Sequence, residues 1–169
     1  MTRKLGRVAT AVVALLLGAQ VYAGSGVATA DGSFVVRAAS NDLAEIRFGS
    51  LAIARGVDPQ VKLFGRRVVD DYTRADNDLK KLAAKKRITL PTQLSAEDQA
   101  AYDKLSGLTG SEFDAAYLDL MTSRLHDAIN DFETEAGTGE DSDVRRWAER
   151  NAIMLRAHHD LARDDRTHL

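Results

Sequence analysis

The sequence predicts an all-α protein, a four-helix bundle that follows an export leader. Three observations predict this class. Apolar residues recur at helical spacing rather than in alternation, and only two prolines, Pro59 and Pro91, interrupt the chain. One connection between the long helical segments is far longer than the others, which restricts how the helices can be arranged.

The first 23 residues have the three parts of a secretory signal peptide. Three basic residues stand within the first seven positions, an apolar run covers residues 8–17, and the small residues Val21 and Ala23 suit a cleavage site after Ala23. The run is interrupted by Thr10 and is shorter than the roughly 20 residues that a membrane-spanning helix needs. Export with cleavage is therefore the prediction, to the periplasm, the cell envelope or the extracellular space. A leader retained as an anchor is the alternative.

Length and charge limit what the exported part can be. The chain has 169 residues and a formal net charge of −2, and loss of the basic leader residues takes the charge to about −5. One domain is expected, and its negative charge argues against nucleic acid as a partner. The chain has no cysteine, which excludes disulfides, thiol nucleophiles, thiolate metal sites and a lipoprotein anchor. No integral membrane segment is expected in the mature chain.

The first helical pair follows a short linker, predicted over residues 24–32. A helix is expected from about residue 33 to 55, with Asp31 or Ser33 as its N-cap and Gly56 at its end. Asp58 followed by Pro59 is a strong helix start, and the second helix should run to about Lys86.

The second helical pair follows a long connection, residues 88–110, which should hold a short helix capped by Ser95. A third long helix is expected over residues 111–136 and should be broken by the glycines at 137 and 139. Asp141 or Ser142 should cap a fourth, which ends near residue 163. The domain is thus predicted over residues 33–163, with a frayed tail at 164–169.

The loops predict the topology. The first and last connections are short, so each joins an antiparallel hairpin, whereas the middle connection is long enough to travel the length of the bundle. A four-helix bundle with a single long crossover is the ferritin-like arrangement.

Polar residues on the apolar stripes are the candidate functional residues. Glu45 falls on the inner face of the first helix, Tyr72 on that of the second beside Asp71, and His158 on that of the fourth. Carboxylate and imidazole groups gathered there could bind iron, zinc or manganese. The alternative is a hydrogen-bonded core network, because buried polar groups need partners whether or not they have a function.

Stronger signatures of a site do not occur in the sequence. None of His126, His158 and His159 has a carboxylate three residues before it, so the Glu-x-x-His repeat of carboxylate-bridged di-iron bundles is missing. Phosphate-cradling loops, Gly-x-Ser-x-Gly and His-Glu-x-x-His are also missing. His126 falls well away from the centre of the third apolar stripe and is expected to be exposed, and His159 points away from the inner row of His158.

A series of short motifs runs along the segment from Phe34 to Ala162: Phe34-x3-Ala38, Glu45 with Gly49 and Leu51-Ala52, Val61-Lys-Leu-Phe64, Val69-Asp-Asp-Tyr72, Leu90-Pro91, Gly110-x2-Phe113-Asp114-x2-Tyr117 and Leu155-x2-His158-x3-Ala162. In their order and spacing these motifs resemble DUF4142, a family of exported bacterial domains of unknown function that are often labelled outer membrane proteins. The resemblance implies a ferritin-like bundle. It also implies histidines on the second and third helices, where this chain has Tyr72 and Leu125, unless His126 replaces the third-helix histidine through a shift of one residue. Only Glu45 and His158 match the family pattern directly.

Two hypotheses about function follow. The absence of a complete catalytic constellation favours a non-enzymatic binding, protective or structural module that meets an envelope protein or a cell-wall component. The alternative is a ferritin-like metal-binding protein or oxidase with a degenerate site at Glu45, Asp71, Tyr72 and His158. Association with a membrane surface has little support, because no mature helix is both basic on one face and strongly apolar on the other.

Overall fold

The computed structural model describes residues 29–169, so the predicted leader lies outside the described residues. Within this range the chain is all-helical, as predicted, and no strand occurs. Four long helices and one short helix make up the domain. They are α1 (Ala30–Arg55), α2 (Pro59–Lys86), α3 (Ala96–Ser106), α4 (Gly110–Thr138) and α5 (Ser142–Thr167). No helix in this part of the chain is both long and apolar enough to cross a membrane.

The long helices form two antiparallel hairpins, α1–α2 and α4–α5, which pack side by side. Around the bundle, α1 lies beside α2, α2 beside α5, α5 beside α4, and α4 beside α1. The crossover spans residues 87–109 and carries α3 across the α1–α4 side. The predicted single long crossover is therefore confirmed.

Most helix starts follow the predicted caps. The carboxylate of Asp58 accepts a hydrogen bond from the backbone of Gln60, and Asp141 accepts from Asp143 and Val144. Ser95 caps α3 through the backbone N–H of Asp98. At α1 the prediction was wrong: the cap is Thr29, whose hydroxyl accepts from Gly32 at 3.0 Å, so α1 begins inside the predicted linker.

Asp31 is not a cap because its carboxylate holds the opposite hairpin turn. It accepts hydrogen bonds from the backbone N–H groups of Glu140 (3.1 Å) and Asp141 (2.6 Å). At the other end of the bundle, Asp114 of α4 does the same for Val57 (3.1 Å) and Asp58 (2.8 Å) in the α1–α2 turn. Each hairpin thus fixes the turn of the other, which satisfies backbone donors that would otherwise lack partners.

Two further boundaries differ from the predictions. Helix α4 continues through Gly137 to Thr138, since an isolated glycine costs a helix only about 1 kcal/mol. Helix α5 continues to Thr167, so the predicted frayed tail is largely helical. Its last turn is held by Arg166, whose guanidinium binds Asp119 of α4 at 2.7 Å.

The core runs along the bundle axis, and the backbones of α1 and α2 approach closely at one point. At one end Phe34 packs edge to face on Phe132 and Trp147, with Phe34 and Phe132 ring centroids 4.9 Å apart, and the Phe132 and Trp147 rings are tilted at 40° to each other. Gly49 and Gly65 face each other, and a Cβ on Gly49 would lie 2.9 Å from the carbonyl oxygen of Gly65. These two glycines let the α1 and α2 backbones approach closely.

Candidate functional site

The structure buries three of the four predicted site residues. Glu45, Tyr72 and His158 are each about 1% exposed, whereas Asp71 is half-buried at the edge of the bundle. All three inward positions were read correctly from the helical spacing. The hydrogen-bond partners of the four predicted residues place them in two separate groups.

The first group is built around Arg124 of α4, which sequence reasoning missed. Its Nε donates to Glu45 Oε1 at 2.7 Å, its Nη1 to Asp98 Oδ1 at 2.7 Å, and its Nη2 to Asn41 Oδ1 at 3.1 Å. The guanidinium carbon also lies 5.0 Å from the centre of the Phe48 ring. Three helices, α1, α3 and α4, are therefore joined by one side chain.

In this group, ion pairing opposes the effect of burial on the pKa values of Glu45 and Arg124. Burial raises the pKa of the Glu45 carboxyl, and the adjacent Arg124 charge opposes that rise. Burial also works against the charge of Arg124, but Glu45 and Asp98 together hold the pKa of the guanidinium above its usual value. Tyr72 and Tyr117 have raised pKa values because they are buried and face the Glu45 carboxylate. Both phenols are therefore protonated at neutral pH.

The second group is a His158–Asp71 pair between α5 and α2. His158 Nε2 lies 2.8 Å from Asp71 Oδ2, and the imidazole packs edge to face on Phe64 with ring centroids 5.9 Å apart. Tyr72 touches the same imidazole, at 5.9 Å between centroids. Burial lowers the pKa of His158, and Asp71 only partly offsets this. The pair is thus a neutral imidazole hydrogen-bonded to a half-buried carboxylate.

These contacts do not assemble the four residues into one ligand set. Glu45 gives one oxygen to Arg124, whose fixed positive charge disfavours a cation beside it. Asp71 meets His158 but not Glu45 within hydrogen-bonding distance. Within residues 29–169, no group of three or more His, Asp or Glu side chains is arranged to hold a metal ion. As arranged here, the side chains of residues 29–169 do not form an inward iron, zinc or manganese centre, and whether these residues bind a metal is not tested by their arrangement alone.

Several buried polar atoms in this interior lack a hydrogen-bond partner among the described residues. They include Glu45 Oε2, the phenol oxygens of Tyr72 and Tyr117, and His158 Nδ1. They belong to different helices and mix donors with acceptors, which is typical of a polar core network. Neither the sequence nor this geometry supplies a nucleophile with an activating base beside it.

A groove on the α1–α3–α4 side lies directly outside Arg124. Its volume is about 710 Å³, and Arg124, Asn41 and Asp98 contribute to its lining. Arg37 and Asp131 form a two-bond ion pair within it, with distances of 2.9 and 3.0 Å. Exposed Glu97 and Asp127 line it too, and neither makes an ion pair with another described residue. The groove therefore has an excess of negative charge.

A family model that matches most of the chain identifies the family. A model described as a domain of unknown function, DUF4142, matches residues 18–164. The chain belongs to the DUF4142 family. The resemblance seen in the residue pattern is thereby confirmed, and no curated protein matches the sequence.

Two solved structures share the fold at low sequence identity. A DUF305 fragment from Deinococcus radiodurans has a TM-score of 0.75 and 14% identity, with 84% of this DUF4142 chain and 99% of that chain covered. A DUF305 protein from Streptomyces coelicolor, provisionally described as secreted, has a TM-score of 0.69 and 15% identity, with 82% and 93% covered. At these identities the likeness concerns the fold alone.

Proposed function

We propose that this DUF4142 domain is an exported, non-enzymatic binding module of the cell envelope, and that its groove between α1, α3 and α4 holds a basic segment of a partner protein. The observation that carries the proposal is the groove itself. It is a large concavity with uncompensated carboxylates on its wall and an immobilised arginine on its floor.

The charge distribution of the bundle supports a cationic ligand on this side. Helix α4 contains seven carboxylates and one basic residue, and α3 contains three carboxylates and one lysine. Helix α2, at the opposite corner of the bundle, contains eight basic residues and four carboxylates. Complementary charge steers a partner towards one face and suppresses approach to the other. A basic segment is therefore expected on the α3–α4 side.

The rigid floor of the groove supports binding rather than catalysis. Arg124 is fixed by three acceptors from α1 and α3, so little side-chain entropy remains to be lost when a ligand binds against it. The lining residues of the groove include no histidine, lysine or tyrosine that could act together with a hydroxyl nucleophile. Export of the domain is supported by the predicted leader and by the likeness in fold to the Streptomyces coelicolor DUF305 protein, which is provisionally described as secreted.

Charge reversal at the groove tests the proposal. The probe is a short, fluorescently labelled lysine-rich peptide, and its affinity is measured by fluorescence anisotropy. In the double variant Glu97→Lys/Asp127→Lys we expect at least a tenfold loss of affinity, because two attractive charges become repulsive. Binding to the unaltered protein should weaken as NaCl is raised from about 50 to about 300 mM.

The matched control is Asp70→Lys/Glu149→Lys. Both residues are exposed, they lie on α2 and α5, and they change the net charge by the same amount. We expect the control to keep its affinity within about twofold, since its substitutions lie outside the groove. Equal losses in both double variants would show that net charge alone governs binding and would refute the groove.

A further inference from the structure

The exposed seam between α4 and α5 carries three cross-helix pairs. On α4 they use Asp119, His126 and Glu133, which are spaced seven residues apart and so share one face of the helix. Asp119 binds Arg166 at 2.7 Å, and Glu133 forms an ion pair with Arg156. Between these two ion pairs stands His126, opposite His159.

The middle pair differs from its neighbours in chemistry. The ring centroids of His126 and His159 lie 6.4 Å apart, with the rings inclined at 43°. His126 is exposed, and the His159 side chain is 18% exposed. In the described part of the chain, neither imidazole forms a hydrogen bond with another helix. The two imidazoles offer two nitrogen atoms that could bind a metal. The ion pairs on either side of them each combine one positive and one negative charge.

The separation matches that of two imidazoles on one metal ion. Metal–nitrogen bonds of ~2.0–2.1 Å place two ring centroids roughly 4.5–6.5 Å apart as the N–metal–N angle opens from about 90° to about 180°. The observed 6.4 Å is at the wide end of that interval. Because His126 is exposed, a small rotation of its side chain can shorten the distance at little cost in packing.

We propose that His126 and His159 form a surface site for a divalent transition-metal ion, with Cu²⁺ bound most tightly. Imidazole is a ligand for Cu, Zn and Ni, and the affinity of a given nitrogen site rises to a maximum at Cu²⁺. Asp160 lies beside His159, with Oδ1 3.5 Å from Nδ1, which places a carboxylate near the imidazole, as is common for metal-ligating histidines. Water completes the coordination, because the two histidines supply only two ligands.

This site is separate from the buried residues Glu45, Tyr72 and His158. His126 and His159 each follow, by one residue, an inward position (Leu125 and His158), so they lie about 100° around the same helices, at the seam and outside the core. Two arginines of this seam, Arg156 and Arg166, are each paired with a carboxylate, which limits their repulsion of a cation. Metal binding here therefore does not depend on Glu45 or His158, nor on the proposed groove.

Cu²⁺ binding to the untagged protein tests the proposal, measured by isothermal titration calorimetry and electron paramagnetic resonance. We expect the unaltered protein to bind one more equivalent of Cu²⁺ than His126→Ala/His159→Ala does. Each single variant should bind that equivalent at least tenfold more weakly, because one imidazole cannot chelate. The resonance spectrum of the unaltered protein should show coupling to two imidazole nitrogens, which a structural effect of the substitutions would not produce.

The control is His168→Ala, which removes an exposed histidine from the end of the chain. Its Cu²⁺ stoichiometry and affinity should equal those of the unaltered protein. Circular dichroism will show whether each variant keeps its helical content. Equal stoichiometry in the unaltered protein and the folded double variant would overturn the proposal, as would a spectrum without coupling to two imidazole nitrogens.

Discussion

The Arg124 side and the His158 side of the bundle stabilise buried polar side chains in different ways. Each places a polar side chain in the core and pairs it with a residue from another helix. On the Arg124 side a full charge is retained, because one guanidinium serves Glu45, Asp98 and Asn41. On the His158 side the charge is avoided, since burial lowers the pKa of the imidazole. The charged side opens on to the groove between α1, α3 and α4.

This difference indicates that stability and ligand binding are coupled at the Arg124 group. A buried charge must keep its partner, whereas a buried neutral imidazole needs only a hydrogen bond. The Arg124 group therefore joins the crossover helix to the bundle and shapes the groove floor at the same time. The His158 group joins α2 to α5, and none of its residues lines that groove.

The largest expected effect comes from removing Arg124. Arg124→Met leaves the Glu45 carboxylate buried without its counter-ion, which should cost about 3–5 kcal/mol of unfolding free energy. Urea denaturation followed by circular dichroism measures this. Adding Glu45→Gln to Arg124→Met should recover part of the loss, because the uncompensated charge is then gone. A loss below about 1 kcal/mol for Arg124→Met would mean that the group contributes little.

The His158 side should show its effect in the pH dependence of stability. Because the pKa of His158 is lowered on folding, the folded protein binds fewer protons than the unfolded chain as the pH falls below about 6.5. This residue's contribution to stability is therefore present above that pH and is lost as the pH falls towards the folded-state pKa. We expect His158→Gln to flatten the decline in melting temperature between about pH 6.5 and pH 5.

His168→Gln is the matched control for the pH series, because His168 is exposed at the end of the chain. Its melting curve should follow that of the unaltered protein at every pH. If His158→Gln shows the same decline as this control, the imidazole is not the group that makes the bundle sensitive to acid.

The smallest effect is expected at the exposed Arg37–Asp131 pair. Its side chains are 56% and 41% exposed, so solvent screens the interaction. Arg37→Met should therefore lower the unfolding free energy by less than about 1 kcal/mol in the same urea experiment. A loss as large as that of Arg124→Met would contradict the distinction between the buried charge and the surface pair.

Sequence reasoning predicted the elements that depend on local chemistry. The Asp58–Pro59 start, the Asp141 cap and the inward positions of Glu45 and His158 follow from capping preferences and helical spacing. Two tertiary contacts have no such local signal. Asp31 and Asp114 hold turns on the opposite hairpin, and their partners are brought near only by the packing of the bundle.

Arg124 had a signal that could have been used. It is the only basic residue of α4, and it stands three residues after Met121 and seven after Tyr117, in a row that faces the core. A lone cation in an apolar row predicts a buried acidic partner, and Glu45 was already a candidate. That Asp98 from the crossover is the second partner could not be predicted, because the path of a long connection is not set by its own sequence spacing.

The most direct test of the central claim is to map where a cationic ligand binds. Amide chemical shifts of the isotope-labelled protein are followed by NMR while the lysine-rich peptide is added. We predict that the perturbed amides cluster on the three segments that line the groove, at residues 37–41 of α1, 97–98 of α3 and 124–134 of α4. Perturbations confined to α2 and α5, or spread evenly over the surface, would contradict the account.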